Sequence, residues 1–524
     1  MNAHIQTICF VFGIVLGILC GEMFIYASEV AVISLMLGLV QGCIYFFGKR
    51  KEWNSVIRGG AVDTSSYYRI PLITLLLSFG IFLGILRTQF VVEKNIFICT
   101  TACEYQATII SSVKTKNQYQ IFTVHNTSLG DDFYDVEITT PLYPRYSVGD
   151  TLTLSGKVSE IQNVFPHTDT NNTISSFDYI SYTHMKDIGS SMFYPKIERV
   201  DSVADTFPYF LMKWKEELVS RVSLYVDAPA STLASGMLFG VSSFSQEFSD
   251  TFRVAGLSHI VVLSGFNIVI IISFMMVLLT FLPRNIRIIM AGVSVILFVC
   301  MVGVSASVVR ATLMASISLL AMISGRVYVA KQALVVSLFL SSMYSPETLI
   351  HDVSLHLSFL ATVGIVYMSE PLLLFLKSTR MKRLPKFFQE LFVTSFSAYS
   401  MTLPYVVYMF GSVSVYALIA NILVVPFVPL GMLLSFLVVL FSYVSETFSF
   451  IVGFLDTAML EIIIFIAQTI EHMPYASLKV EVSLFGVIVL YCCIAVLVKY
   501  ISVSYHDETL VTKRDDVLEG LVSY

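Results

Sequence analysis

Residues 257–268 read Leu-Ser-His-Ile-Val-Val-Leu-Ser-Gly-Phe-Asn-Ile and open an apolar run that continues to Leu282. His259, Ser264 and Asn267, with Gly265 among them, fall at what should be membrane depth. An unpaired polar group in hydrocarbon costs several kcal/mol, so such residues normally face protein or a water-filled route. The Ser264-Gly265 pair also invites a helix interruption, and interrupted helices inside membranes mark the path of a solute. This stretch therefore decides the reading: a membrane protein that conducts something.

Composition agrees. The chain has 524 residues, 56% hydrophobic and only 13% charged, with a mean hydropathy of +0.77. Soluble domains carry about 25% charged residues. Three apolar segments come first, Thr7–Tyr26, Val30–Phe47 and Ile70–Phe90, each long enough to span a bilayer core. No Lys or Arg precedes the first and no small-residue cleavage site follows it, so a retained span is expected rather than a signal peptide. Gly13, Gly17 and Gly21, and Gly80 with Gly84, stand at the spacing that lets membrane helices approach closely.

From Val91 to Arg199 the pattern becomes that of strands. Phe133–Thr139 and Thr151–Val158 alternate, with Val136/Ile138 and Leu152/Leu154/Val158 each on one face. Turn residues separate the runs at Lys116-Asn117, Gly130 to Asp132, Pro141 to Pro144 and Gly149-Asp150. Four or five strands and a helix at Phe177–Lys186 predict a small OB-like barrel. Cys99 and Cys103, four apart, can bridge only if the chain turns between them. The other six cysteines lie in apolar spans, and no Cys/His cluster with metal-ligand spacing occurs, so no metal or cofactor is expected.

Phe207–Val226 is amphipathic, with Trp214 between Lys213 and Lys215, and reads as an interfacial helix. Nine further spans follow: 256–282, 288–304, 308–324, 332–345, 353–376, 391–410, 414–443, 447–470 and 483–503. Pro426 and Pro429 interrupt the seventh. The expected fold is thus a polytopic α-helical membrane protein of about twelve spans with a small extracytoplasmic β domain. Its divisions are 1–90 (three spans), 91–200 (barrel), 201–230 (interfacial helix), 231–505 (channel domain) and 506–524 (tail). Loop charge supports the parity. Lys49, Arg50, Lys51, Arg58 and Arg69, then Arg284/Arg287, Arg326/Lys331, the Lys377–Lys386 cluster and Lys513/Arg514 all fall on one side, the cytoplasm by the positive-inside rule.

Several residues are candidates for chemistry. Arg310 is the only charge between Ile288 and Ser324; it either serves the path or snorkels to the outer turn at Ser305–Ser307. His259 is a proton carrier, a phosphate contact or a structural imidazole. Asn421 precedes Pro426 and can bond carbonyls freed where that helix breaks. Glu347, His351, Asp352 and His356 read as interfacial. Asp456 and Glu461 share a span and hint at a proton relay, with pairing or snorkelling as the alternative. There is no G-x-x-x-x-G-K-[ST] and no H-E-x-x-H, so an enzyme is not expected.

Taken in order, several motifs resemble the ComEC competence family of DNA-uptake channels. They are Leu233–Gly240, Phe252–His259 followed by L-S-G-F-N-I, G-V-S-A-S-V-V-R-A-T-L-M at Gly303–Met314, L-S-F-L-A-T-V-G-I at Leu357–Ile365, and F-G-S-V-S…A-N-I-L-V-V-P at Phe410–Pro426. V-G-D-T-L-T-L-S-G-K-V at Val148–Val158 and F-D-Y at Phe177–Tyr179 fit the family's outer domain. The chain departs from the family at Asn267, where histidine is frequent, and is expected to be a form without the C-terminal metallo-β-lactamase-like domain of many members.

The resemblance implies a plasma-membrane channel for single-stranded DNA in natural transformation. Its path would be lined by Arg253, His259, Ser264, Gly265, Asn267, Arg310 and Asn421, with a helix break at Pro426. A separate DNA receptor and a cytoplasmic ATP-driven motor are the implied partners, within the lipid bilayer. From Val91 to Asp227 there are eleven Lys and Arg against seventeen Asp and Glu, so the barrel is expected to brace the channel and touch DNA only through exposed aromatics such as Tyr119 or Phe122. The alternative is a proton-coupled transporter of a small or lipidic solute.

Overall fold

The computed structural model describes residues 10–18, 69–88, 94–111, 113–116, 119–127, 132–161, 179–202, 207–241, 244–261, 264–303, 306–378, 383 and 385–501. The expected second span, the loop at 49–68, most of the Lys377–Lys386 loop and the tail lie outside these. The chain divides into two compact units, Met1–Asn95 with Ser305–Leu355, and Ile96–Val304 with His356–Tyr524.

A helical stretch at 10–18 and α1 (Arg69–Thr88) open the chain. The barrel follows: β1 (Cys99–Ile109), β2 (Lys114–Lys116), β3 (Tyr119–Asn126), β4 (Asp135–Pro141), β5 (Asp150–Glu160), α2 (Tyr179–His184), β6 (Ile188–Phe193) and β7 (Lys196–Ser202). Strands pair in the order β1-β3-β4-β6-β5, and β5 returns to β1, so five strands close a ring. All pairs are antiparallel except β4–β6. The alternating residues point inward: Val124, Val136, Ile138, Leu152, Leu154 and Val158 are fully buried. β1 carries an irregularity between Cys99 and Cys103, which brings their Cα atoms to 6.4 Å, and the two are disulfide-bonded. Phe122 was expected to be exposed. It is instead core, packed on Tyr146 with ring centroids 5.6 Å apart, because β3 turns Phe122 and Val124 to the same inner face.

Then come α3 (Phe207–Tyr225), α4 (Ala230–Phe239), α5 (Gln246–Val254), α6 (Ser258–Val261), α7 (Gly265–Leu278) and α8 (Arg284–Val302). The chain continues through α9 (Ala306–Ile323), α10 (Ala330–Tyr344), α11 (Thr348–His351), α12 (Val353–Ser378) and α13 (Lys386–Phe410). It ends with β8 (Ser412–Ser414), α14 (Ala417–Val424), α15 (Val428–Phe441), α16 (Glu446–Glu471), β9 (Ser477–Lys479) and α17 (Leu484–Ile501). Among the described residues, α8, α12, α16 and α17 are long and apolar enough to cross a bilayer; α14 and α15, bent by 48° at their junction, make a fifth if counted as one. The 256–282 segment is not one helix, and its longest piece, α7, has 14 residues.

In the first unit, residues 10–18 and α1 touch backbone to backbone. A Cβ on Gly17 would sit 2.2 Å from the Ile81 carbonyl oxygen, and one on Gly84 2.2 Å from that of Ile14. Arg87 closes the end of α10, donating from Nε to the Met343 carbonyl at 2.8 Å. Asp352 caps α12 by accepting from the Ser354 N–H at 2.8 Å.

In the second unit the core runs through α3, α4, α5, α6, α14, α15 and α16, with Val222, Leu233, Met237, Phe252, Val424 and Leu460 at its centre. Helix α3 packs its Leu211, Leu218 and Val222 side inward while Phe210 and Trp214 stay exposed. Lys215 faces inward too, reaching the Val302 carbonyl at the end of α8 at 3.4 Å. Arg221 covers the Tyr443 ring at 3.8 Å and bonds Glu217.

Candidate functional site

The broken segment is stitched to its neighbours from both sides. Helix α4 ends at Gly240, whose φ of +65° closes it with N–H bonds to the Gly236 and Ser235 carbonyls. That closure leaves the Met237 carbonyl for another donor, and Asn267 Nδ2 supplies it at 3.0 Å. Ser264, at the N-cap of α7, donates from Oγ to Asn267 Oδ1 at 3.2 Å. Asn267 is buried, and its amide is engaged on both sides.

On the other side, the α5–α6 turn carries Gly256 at φ +75°, where a Cβ would fall 2.4 Å from Cβ of Ala417. The turn is thereby seated on the first residue of α14. One turn of chain later, His259 lies at hydrogen-bonding range of the Asn421 side chain and the Gly256 backbone. Asn421 Oδ1 is buried without a well-formed hydrogen bond. Asn421 Nδ2 donates to Ser395 Oγ of α13 at 3.1 Å. One turn along α13, the Tyr399 hydroxyl donates to the Ser414 carbonyl at 2.8 Å. His259 is exposed.

The second unit therefore brings together His259 with Asn421, and Ser264 with Asn267. Gly265 is the first residue of α7. Arg253 stands apart on the exposed side of α5, paired with Asp250 at 2.7 Å. The turn between α14 and α15 contains Pro426. Ser395, Tyr399 and Ser414 were not singled out from sequence, although Ser395 and Tyr399 share one face of α13 at i, i+4 spacing.

Arg310 belongs to the first unit. It is buried, its Nη1 contacts Met314 Sδ at 3.3 Å, and its charge is felt at Tyr328. Met314 lies one turn further into α9, so the guanidinium is directed along the helix. His356, read as interfacial, bonds the Tyr405 hydroxyl at 2.5 Å. Asp456 is fully buried, accepting from Ser435 Oγ at 2.7 Å, whereas Glu461 is exposed on another face of α16. The two carboxyls lie on different faces of the helix.

Long apolar helices, with α14 and α15 bent by 48° at their junction, joined in one chain to a closed β-barrel define a membrane protein. Its family is equally plain. A family model described as Competence protein matches residues 237–504, a little over half of the sequence, and the chain belongs to that family. Neither a curated protein nor a solved structure matches the chain.

Proposed function

We propose that this protein is a plasma-membrane channel that passes single-stranded DNA into the cytoplasm during natural transformation, and that His259, Asn421 and Ser395 lie on its path. The observation that carries this reading is the interrupted α6–α7 segment, whose His259 reaches Asn421 of α14, the helix that bends into α15, within the region that marks the competence family. Interrupted helices expose backbone and side-chain polar groups at membrane depth without lipid contact. Neutral groups such as these hold a polyanion weakly, which suits conduction better than dense fixed charge.

The barrel serves as a brace more than a receptor. Its acid excess opposes phosphate capture, and its expected contact residue Phe122 is in the core. Its five-stranded ring with one parallel pair favours an OB-type module. A separate receptor would deliver DNA to the outer face and a cytoplasmic ATP-driven motor would draw it in. The chain itself neither cleaves DNA nor hydrolyses ATP.

The deciding experiment measures uptake of fluorescent DNA, and separately of small solutes, in a deletion strain complemented with the gene. Loss of DNA uptake alone, with surface binding retained, is expected. Loss of a small solute's transport with normal DNA uptake would replace this reading with a secondary transporter.

A further inference from the structure

The ring of His259 has two hydrogen-bond partners, the Gly256 backbone carbonyl and the Asn421 side chain. Ser395 decides which end of the amide meets the ring. Asn421 Nδ2 donates to Ser395 Oγ at 3.1 Å, so Oδ1 is the end left for His259, and it is buried without a well-formed bond. Both partners of the ring are therefore acceptors. A neutral imidazole has one N–H to donate, whereas the imidazolium has two. The neutral ring leaves one acceptor short, and a second proton supplies it. No fixed charge competes for the site among the described residues. Helices α4 and α5 pack on α6. Of these, α4 carries no charged side chain; on α5, Arg253 and Asp250 pair with each other at 2.7 Å and Glu247 stands at the far end. Helix α14 is uncharged. On α13, Lys386 and Glu390 lie more than a turn before Ser395, and the Tyr399 hydroxyl is bonded to the Ser414 carbonyl.

A permanent cation on a conducting path holds a polyanion, and a permanently neutral group gives it no grip. A phosphate beside an imidazole favours the charged ring, and its departure removes that advantage. His259 is exposed, so solvent can supply and receive the proton. We infer that His259 takes up a proton as a phosphodiester of the strand arrives and returns it as the phosphate leaves. The path then carries positive charge only while a phosphate is beside it. Asn421 is a positioning residue in this scheme, its Oδ1 accepting the second N–H of the charged ring. The inference rests on the channel reading above.

The test measures binding of a short fluorescent oligothymidylate, whose bases do not titrate near neutrality, to the full chain in nanodiscs of zwitterionic lipid. Affinity is followed against salt at about pH 5.5 and about pH 8, which bracket the ordinary histidine range. One extra cation–phosphate contact on a single strand steepens the log–log salt dependence by about 0.7. The unmodified chain should show that added steepness at the lower pH, with affinity about fivefold tighter at low salt. The chain has nine histidines, so His259→Gln isolates this one: it should lose the added steepness. His259→Lys, which tests the same point if glutamine impairs folding, should be steep at both pH values. Asn421→Leu, which removes the second acceptor, should shrink the difference between them. Unchanged steepening in His259→Gln, or a shallow slope at both pH values in His259→Lys, would overturn the inference and leave the channel reading in place. Absence of oligothymidylate binding at either pH would overturn the channel reading with it.

Discussion

Asn267 Nδ2 donates to the Met237 carbonyl at 3.0 Å, across thirty residues of sequence, and so closes the open end of α4 with the first turn of α7. A residue that reads as path-lining is thus occupied in holding the break together. Asn267→Leu should strand a buried carbonyl and lower stability by about 1–3 kcal/mol. Thermal unfolding of the purified protein would show it. DNA uptake per folded copy should fall far less than after changes at His259.

His259 and the Asn421 side chain lie within reach of one another. His259→Ala and Asn421→Ala should each reduce transformation about tenfold at constant abundance, and the double variant should do little more, because contacting residues couple by about 1 kcal/mol or more. Strict additivity of the two losses would separate them functionally.

Gly256→Ala tests the seat of the α5–α6 turn. The added methyl meets Ala417 at 2.4 Å and the φ of +75° disfavours any side chain; together these should cost at least about 1–3 kcal/mol. A shortened membrane half-life in pulse–chase would register the effect, and Ala417→Gly should restore part of it.

Lys215 supplies a pH dependence. Burial pulls its ammonium down to about 8 from 10.5, so the folded protein carries fewer protons than the unfolded chain between those values. Stability should therefore rise as pH increases from about 8 to 10.5. Calorimetry in detergent across that range should show the rise, and Lys215→Met should abolish it.

Topology is checked by labelling. Thr127, exposed beside β3, should react as cysteine from outside, and Lys377→Cys at the end of α12 only after permeabilisation. Asn126, its neighbour, is buried and unsuitable. Labelling of both from one side would reverse the orientation assigned to the barrel.

Much of this architecture was legible because it rests on local pattern. The alternation at Val136/Ile138 and Leu152/Leu154 names the barrel core directly, and Ser264-Gly265 stands where α7 begins. What was illegible depends on distant partners. No local signal links Asn267 to Met237, or Asn421 to Ser395. Phe122 follows another apolar residue, so alternation alone left its face open, and β3 resolves it inward. The Cys99–Cys103 bond required an irregularity in β1 that spacing could only permit.

The glycine contacts of the first unit carry a warning for genetics. At Gly17, Gly80 and Gly84 a single methyl would collide with a neighbouring backbone at 2.2–2.4 Å, and a main chain has no rotamer by which to yield. Alanine scanning will therefore score these positions as severe losses, on a par with residues that handle the cargo. Their sensitivity reports helix spacing alone, and a map of hits drawn without that distinction would place the translocation route through solid packing.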